Sequence, residues 1–565
     1  MGNWDETTDL LVVGSGAAGL TAALVAAIEG LKVVVCEKDS KIGGTSAISG
    51  GAIWIAASEQ AARARYLDSI AAARRYLENE LGAHRRVDLL EAFLESGPAM
   101  LSYLEARSEV VFDAVPLPDY HDDAEGGVTA GRVLLARPYD GRQLGPELAR
   151  IKEPLTALTA LGGMMLSPLE VSWMLRPFGS WTAFRHVARR VIRHAADRLR
   201  YRRGTHLMNG NALIARFVTS LSAVGVAIRT CAPLEQLVTA HGAVTGVIIR
   251  NSHGATRIRA RRGVVLATGG AAAKSDLRDD IMADFPHDYT VVPKANTGDG
   301  VRAGLAAGGH VDRNVATPAI WTPASVHRAA GSCLTVFPYG YLDRGKPGAI
   351  AVNAAGKRFV NEANSYHDVV QAMYRCTAKG VVPRAHLVCD ARFLSRYGLG
   401  LVRPNDRRLR RFLRDGYIIR AATIPELARA IGAPETALAA TIARHNGFAQ
   451  LGIDCDFGKG RTAYNRSNGD PAVKPNPNLA PIVEAPFYAL AMTPATLGPS
   501  IGLDVNADAQ VLDHARMPIP GLYACGNDTS SVMRGCCPGG GVTIGPAMVT
   551  GYRAACHARA SRPYI

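Results

Sequence analysis

Three glycines near the start of the chain have a spacing that suits binding of a phosphate-linked nucleotide. Gly14, Gly16 and Gly19 form the pattern G-x-G-x-x-G, in which each glycine lets the backbone approach a strand, a helix or a phosphate closely. Glu37 follows further along, where a carboxylate can accept hydrogen bonds from the hydroxyls of a ribose. The pattern predicts a dinucleotide site with these contact residues: Gly14, Ser15, Gly16, Ala17, Ala18, Gly19, Glu37 and Lys38.

Regular elements surround these residues in the order that such a site requires. We expect a buried strand over Leu10 to Val13, a helix over Ala17 to Glu29 and a second strand over Lys32 to Cys36. The N-terminus of that helix can hold a pyrophosphate on its free N–H groups. An ordinary glycine turn is the alternative, but it does not explain the acid at the end of the second strand.

Three further segments indicate that the nucleotide is long. The loop Lys41 to Trp54 carries two glycine pairs among small hydroxyl side chains, and apolar strands end within Gly263 to Ala273 and Gly521 to Ser531. These strand ends come from distant parts of the chain and are expected to converge on one extended ligand. Such an arrangement favours tightly bound FAD over NAD, which binds and dissociates freely. The further residues predicted to contact FAD are Gly43, Gly44, Thr45, Ser46, Ser49, Gly50, Gly51, Ala267, Thr268, Gly269, Gly526, Asn527 and Asp528.

Length and composition indicate a globular protein of at least two domains. The chain has 565 residues, 48% hydrophobic and 20% charged, which exceeds the size of one hydrophobic core. A net charge of +15 favours anionic partners, among them a phosphorylated cofactor, a membrane surface or nucleic acid. The ten cysteines include no C-x-x-C pair, so we predict neither a metal site nor a disulfide framework. Without a secretion signal or an apolar run of about 20 residues, we expect a cytoplasmic protein.

Longer motifs resemble those of the flavoprotein superfamily of fumarate reductases and 3-ketosteroid dehydrogenases. They are GGTSAISGGAIW, NTGDG at Asn296 to Gly300, AVNAAGKRFVNEANSY at Ala351 to Tyr366 and RGCCPGGGVTIGPAM at Arg534 to Met548. Within the superfamily the chain is most similar to the 3-ketosteroid Δ1-dehydrogenase branch. The resemblance implies an α/β fold, a Rossmann-like FAD-binding domain with an inserted α+β catalytic domain that holds the substrate.

The reaction of that branch removes a proton beside a ketone while a hydride leaves the neighbouring carbon for the flavin. The resemblance implies that Tyr366 is the base and that Tyr120 supports it, because an isolated tyrosine titrates near about 10. It further implies that the Gly541 N–H donates to the ketone oxygen as charge develops there. Thr543 and Ile544, at a helix start, would face the flavin ring. The alternatives are a packing role for Tyr366 and an ordinary loop position for Tyr120.

Cys537 departs from the family pattern. The enzymes that this chain resembles carry a tyrosine at this position, and its hydroxyl donates to the substrate ketone. A thiol is a shorter side chain and a much weaker hydrogen-bond donor. Three interpretations stay open: a changed ketone partner or ring position, a pocket widened for a bulkier substrate, or a redox pair with Cys536. This position puts standard Δ1-dehydrogenation in doubt, though not flavin binding.

The predicted substrate pocket is apolar. The segment Ala316 to Val326 lacks the His-Pro-Thr segment and the cationic groups with which fumarate reductases hold a dicarboxylate. Such a pocket suits an uncharged ring system, and we predict that Trp321 and Pro538 line it. Core packing is the alternative for Trp321. His121 and His367, beside the two tyrosines, are expected to face solvent.

An unusual insertion spans Leu158 to Arg203. Its first half is rich in large apolar residues, and its second half contains eight arginines and one acid. Apolar and cationic surfaces side by side are what an interfacial helix uses to rest on anionic lipid. A solvated basic helix is an equal alternative, and we expect no contact with nucleic acid because no stacking motif accompanies the charge.

These features predict a discontinuous FAD-binding domain, residues 1–110, 145–280 and 488–565, and a catalytic domain, residues 111–144 and 281–487. The leading hypothesis is an FAD-dependent dehydrogenase that desaturates a ring beside a ketone in a steroid-like hydrophobic substrate, with an unidentified electron acceptor. The alternatives are an ene-reductase working in the reverse direction and a membrane-associated redox flavoprotein.

Overall fold

A computed structural model describes residues 4–156, 159–166, 170, 173–174, 180–252, 254–329, 334–339 and 343–563. The strands are β1 Glu6–Val13, β2 Val33–Cys36, β3 Ala52–Trp54, β4 Phe112–Ala114, β5 Val133–Ala136, β6 Tyr139–Asp140, β7 His206–Leu207, β8 Ala227–Arg229, β9 Leu234–Ala240, β10 Ala243–Asn251, β11 Gly254–Leu266, β12 Tyr289–Thr290, β13 Val311–Asp312, β14 Ala319–His327, β15 Thr335–Pro338, β16 Ala349–Val352, β17 Ala385–Cys389, β18 Ile419–Ala421, β19 Phe487–Pro499, β20 Gly502–Leu503, β21 Gln510–Leu512 and β22 Pro518–Ala524. The helices are α1 Ala17–Ile28, α2 Gly44–Ile48, α3 Glu59–Arg63, α4 Ile70–Leu81, α5 Val87–Arg107, α6 Trp181–Arg200, α7 Asn209–Ala223, α8 Asp276–Ile281, α9 Asp299–Ala306, α10 Tyr366–Arg375, α11 Ala391–Tyr397, α12 Leu409–Arg414, α13 Ile424–Ile431, α14 Glu435–Leu451, α15 Ala463–Ser467 and α16 Ile544–Ala560.

The first sheet contains the strands that lead to the predicted nucleotide site. Its order is β21-β22-β11-β1-β2-β8, with β10 beside β11 and β9 beside β10. β22, β11, β1, β2 and β8 run parallel, and the last four residues of β1 are buried on both faces, as in other parallel sheets. The predicted strand, helix and strand at this end of the chain are confirmed, with β1 beginning earlier because Glu6 to Thr8 also pair with β11.

Helix α1 lies in the middle of this domain and contacts α16 closely. Its residues from Ala17 to Ala26 are all buried, which suits a helix that is apolar on every face. A Cβ added at Gly551 of α16 would lie 2.3 Å from the carbonyl oxygen of Ala18, so only glycine permits this approach. The N-terminus of α1 is thereby held against the middle of α16.

The second sheet forms the other large core. Its order is β15-β14-β19-β17-β16, with β12 and β18 also paired to β19. The predicted domain boundaries stay a prediction, and two elements bear on them. Strand β19 continues in this sheet to Pro499, beyond the expected boundary at residue 487, and Val133 of β5 packs in the first core although its segment is expected in the catalytic domain.

The predicted insertion, residues 158–203, lies partly outside the described residues. Its arginine-rich half forms α6 and buries Ala183, His194 and Asp197. Across the described ranges, no helix combines the length and apolarity needed to cross a membrane.

Arg132, just before β5, is a buried cation that joins two loops. Its guanidinium donates to Asp68 and Asp119 at 2.8 Å each, and none of the three side chains has exposed surface. Charge-assisted hydrogen bonds of this kind are strong, and losing one partner leaves charge buried without compensation.

We expect Arg132→Met to destabilise the fold by about 3–5 kcal/mol, because two buried carboxylates lose their cation. The measurement is the midpoint of thermal unfolding followed by circular dichroism. Arg137→Met is the matched control, since Arg137 pairs with Asp113 at the surface and should contribute less than about 1 kcal/mol. Equal midpoints for the two variants would contradict the importance of the buried cation.

Candidate active site

The carboxyl ends of three parallel strands meet at one edge of the first sheet. Val13 at the end of β1 is paired with Leu266 of β11, and Leu266 is paired with Ala524 of β22. The loops that follow these strands therefore lie side by side. They contain the segments predicted to hold FAD, which the chain separates by hundreds of residues.

The residues that precede three helices at this edge provide no side-chain cap. Gly16 before α1, Gly43 before α2 and Thr543 before α16 form no capping hydrogen bond through a side chain. A Cβ added at Gly44 or Gly50 would meet none of the described residues within 4 Å, so open space lies along this loop. At α1 the Ala17 N–H donates to the Ser46 hydroxyl at 3.0 Å. Helix N-termini beside open space fit a pyrophosphate and the carbonyl oxygens of a flavin.

Glu37 lies at the nucleotide edge with both oxygens engaged. One oxygen accepts from the backbone N–H of Ser15 at 2.9 Å and from its hydroxyl at 2.6 Å, and the other accepts from the Asp39 N–H at 2.8 Å. The carboxylate thus orders the glycine turn and keeps lone pairs for a ribose. Lys38 instead donates to Asp299 at 2.8 Å, which ties this turn to the NTGDG segment.

Asp528 joins the loops that follow β11 and β22. Its carboxylate accepts from the N–H and hydroxyl of Thr268 and from the Gly270 N–H. Burial raises the pKa of Asp528 to about 6 against these hydrogen bonds, which lower it. The residue therefore orders the predicted cofactor loops, and its direct contact with FAD stays a prediction.

The two tyrosines singled out in the sequence contact each other. The Tyr120 hydroxyl donates to the Tyr366 hydroxyl at 3.3 Å, and their rings meet edge to face with centroids 5.7 Å apart. Tyr366 is the first residue of α10, whose N-cap is Ser365. Tyr366 therefore lies at a helix N-terminus, where the backbone N–H groups carry partial positive charge.

A buried ionic cluster fixes the segment before Tyr366. Arg358 donates to Glu362 and Asp454 at 2.9 Å each, and the Lys459 ammonium lies 3.3 Å from Glu362. Burial alone would raise the pKa of Glu362, but the two cations hold it well below its usual range. Glu362 also accepts from the Ala351 N–H at 2.9 Å, which anchors the turn between β16 and α10.

The Tyr120 segment is held against the glycine-rich loop. The Pro538 carbonyl accepts from the Tyr120 N–H at 2.9 Å and from the Tyr76 hydroxyl at 2.6 Å. Tyr464 packs on the Tyr120 ring with centroids 4.7 Å apart. Pro538 therefore lies at the tyrosine pair, and its contact with a substrate stays a prediction.

Cys537 lies beside the base candidate. Its thiol is buried and donates to the Tyr366 hydroxyl over 3.8 Å. Burial raises the pKa of Cys537 well above its usual range, so the thiol stays protonated. The Cys536 thiol points elsewhere and donates to the Glu80 carbonyl at 3.2 Å, and no disulfide joins any of the described cysteines.

Gly541 has a left-handed backbone conformation that favours glycine, and its predicted contact with the ketone stays a prediction. Its φ is +93°, and a Cβ there would lie 2.5 Å from the backbone of Ile53. The Gly541 carbonyl accepts from the Trp54 N–H at 3.2 Å, while none of the described residues accepts from the Gly541 N–H. The geometry leaves that N–H for a ligand.

The expectation that both histidines face solvent is wrong for His367, whereas His121 keeps part of its side chain exposed. His367 is buried and its Nδ1 accepts from the Trp321 N–H at 3.2 Å, while burial lowers the pKa of His367 to about 4. His121 is half buried between Glu80 and Asp368. No local signal indicates these partners, because Glu80 and Asp368 both lie outside the segment that carries His121.

Trp321 lies within the second core. Its side chain has no exposed surface and stacks near Phe285, with ring centroids 6.0 Å apart, and meets Tyr374 at 5.4 Å. The tryptophan thus supports the strand that carries the His367 contact. Its role in lining a substrate pocket stays a prediction.

Comparisons with known proteins agree with this architecture. Residues 9–544 match the family described as FAD binding domain, which confirms FAD as the cofactor. The chain is 37% identical to a 3-oxosteroid 1-dehydrogenase of Mycobacterium tuberculosis, with 97% of this chain and 98% of that protein covered. It is 36% identical to a 4-oxocyclohex-2-ene-1-carboxylate 5-dehydrogenase of Sinomonas cyclohexanicum, over 97% of this chain and 92% of that protein.

A solved structure extends the similarity to the fold. The 3-ketosteroid Δ1-dehydrogenase of Sterolibacterium denitrificans, in complex with 1,4-androstadiene-3,17-dione, superposes with a TM-score of 0.89 at 34% identity. The match covers 99% of this chain and all of that one, which confirms the predicted fold class. Sequence and fold together show that the chain belongs to the family of FAD-binding oxidoreductases that contains the 3-oxosteroid 1-dehydrogenases.

Proposed function

We propose that this protein desaturates a ring beside a ketone in a steroid-like substrate, with FAD as its cofactor. The observation that carries the proposal is the Tyr120–Tyr366 contact at the N-terminus of α10, beside Cys537 and the glycine-rich loop. The relatives named above are dehydrogenases of ring ketones, one a steroid and one a cyclohexene carboxylate. Their shared chemistry is the removal of two hydrogens from a ring that carries a carbonyl group.

In this reaction Tyr366 takes the proton from the carbon beside the ketone. Hydrogen bonds from Tyr120 and Cys537, together with the N-terminus of α10, favour the phenolate that this step needs. The Gly541 N–H donates to the ketone oxygen as negative charge develops on it. When bound, FAD supplies the acceptor for the hydride that leaves the neighbouring carbon, so that a carbon–carbon double bond forms.

We expect Tyr366→Phe to lower turnover by about 10²- to 10⁴-fold, because the variant has no group to accept the proton. The measurement is the rate with a 3-ketosteroid and an artificial electron acceptor, on protein whose visible spectrum shows a full complement of flavin. Unchanged turnover would contradict the proposed base.

Two further arms of this assay separate the alternatives. A 4-oxocyclohexanecarboxylate offered in place of the steroid tests whether the ring system must be large. Anaerobic mixing of the chemically reduced enzyme with an unsaturated ring ketone tests the ene-reductase direction. If the carboxylate turns over faster than the steroid, it replaces the steroid as the proposed substrate. If ring reduction is faster than desaturation, the proposed direction is wrong.

We expect Cys537→Ala to change kcat by less than about tenfold, because a neutral thiol is a weak donor. The same variant tests the redox-pair interpretation. Reductive titration of the wild-type protein should consume two electrons per flavin, and a larger uptake that Cys537→Ala abolishes would favour the redox pair. A loss of kcat as large as that of Tyr366→Phe would instead assign the thiol to the chemistry.

We further propose that α6 rests on an anionic membrane surface. Trp181 and Leu199 are 73% and 88% exposed, and Ile192 between them is also exposed. Arg185 and Arg189 are exposed on the same helix. Apolar side chains with arginines around them suit an interfacial helix, and a steroid-like substrate dissolves in the lipid that the helix would contact.

We expect Leu199→Ser to weaken vesicle binding about 10- to 30-fold, since burying a leucine side chain contributes roughly 2 kcal/mol. Flotation with phosphatidylcholine vesicles, with and without phosphatidylglycerol, measures the bound fraction. Leu67→Ser is the matched control because Leu67 is 93% exposed outside this helix. Equal binding of both variants, or none by the wild-type protein, would leave α6 as a solvated basic helix.

A further inference from the structure

We propose that His121 is a positioning residue that holds Tyr120 against Tyr366 by joining Glu80 to Asp368. This inference rests on the proposed function, since it concerns the same pair of tyrosines. His121 lies outside the family motifs that indicated the site. It acts through the backbone of the residues beside it.

The bridge has short distances on both sides of the ring. Nδ1 of His121 lies 2.9 Å from both carboxylate oxygens of Glu80, near the end of α4. Nε2 lies 3.0 Å from Asp368, in the first turn of α10. Because His121 follows Tyr120 directly and Asp368 stands two residues after Tyr366, this bridge fixes the separation of the two tyrosine backbones.

The charges make this bridge an ionic one. Burial disfavours the imidazolium, but hydrogen bonds to Asp368 and Glu80 outweigh it and raise the pKa of His121 to about 11. The cation in turn lowers the pKa of Asp368 against its burial. Neighbouring His367 stays neutral, because burial lowers its pKa to about 4. His121 is thus a cation between two anions across neutral pH, and charge-assisted bonds tolerate little displacement.

Neighbouring contacts keep the segment folded without this bridge. Asp119 accepts from the Trp54 indole at 2.8 Å and from Arg132, and Asp122 accepts from the Ala463 and Tyr464 N–H groups at 3.0 Å each. These contacts lead to β3 and α15. Of the side chains of residues 119–122, His121 makes the ionic contact with α10, so its loss would release the Tyr120 segment from the base without removing the other anchors.

The test is His121→Gln in the flavin-loaded protein. We expect kcat to fall roughly 10- to 100-fold with KM for the ketone within about twofold, because a small displacement of a catalytic group slows the chemical step. Arg461→Gln is the matched control. Arg461 pairs with Asp123 in the same loop, but both side chains are exposed, so kcat should not change.

A double-mutant cycle separates positioning from general stability. If His121 acts through Tyr120, His121→Gln should lower kcat no further when Tyr120→Phe is already present. Full additivity of the two losses, or an unchanged kcat in the single variant, would overturn the proposal.

The proposed function would be wrong if the wild-type protein desaturated no ring ketone. Hydrogen exchange would still test the His121 bridge in that case, because it needs no substrate. The Tyr120 N–H donates to Pro538 and the Asp368 N–H donates to Ser365 in the wild-type structure. Faster exchange of both amides in His121→Gln, with Arg461→Gln unchanged, supports the bridge. Unchanged exchange in both variants overturns it, whatever the substrate.

Discussion

The architecture depends on how closely the backbone turns after its first strand. Gly14 has φ +111°, and a Cβ there would lie 2.1 Å from the carbonyl oxygen of Ala267. Glycine therefore permits β1 and β11 to end side by side and α1 to begin at once. A Cβ at Gly19 would in turn lie 2.2 Å from the Gly14 carbonyl oxygen, so the helix also packs directly on the turn. This contact places a helix N-terminus at the edge where the other strands end.

The two tyrosines that we propose as catalytic belong to segments outside the first sheet, and buried charges hold those segments in place. Arg132 anchors the segment before Tyr120, and the Arg358–Glu362 pair anchors the segment before Tyr366. A hydrophobic contact would tolerate sliding, whereas a buried ion pair is favourable only in a narrow geometry. The sheet can therefore supply the cofactor site while long, irregular segments still set the spacing of the tyrosines.

Local patterns predicted the nucleotide end well because its elements are short, apolar and bounded by glycines. The helix predicted over Ala17 to Glu29 ends one residue earlier, and the convergence of three strand ends followed from the rule for parallel sheets. Long-range contacts were different. Tyr120 and Tyr366 are 246 residues apart, and only the family resemblance brought them together. His367 was misjudged because its burial depends on β14, which no local pattern links to α10.

Cys537 does not simply remove the hydrogen bond that the family's tyrosine donates to the ketone. Its thiol donates to a different acceptor. The family resemblance implies a phenol that donates to the ketone, whereas this thiol donates to the hydroxyl of Tyr366. Burial keeps the thiol protonated, so it can stabilise a phenolate but cannot itself become the base. In the proposed reaction the ketone then depends more heavily on the Gly541 N–H, while the base gains a weak donor. A substrate whose adjacent proton is more acidic needs less stabilisation at oxygen, and such a ketone suits this arrangement best.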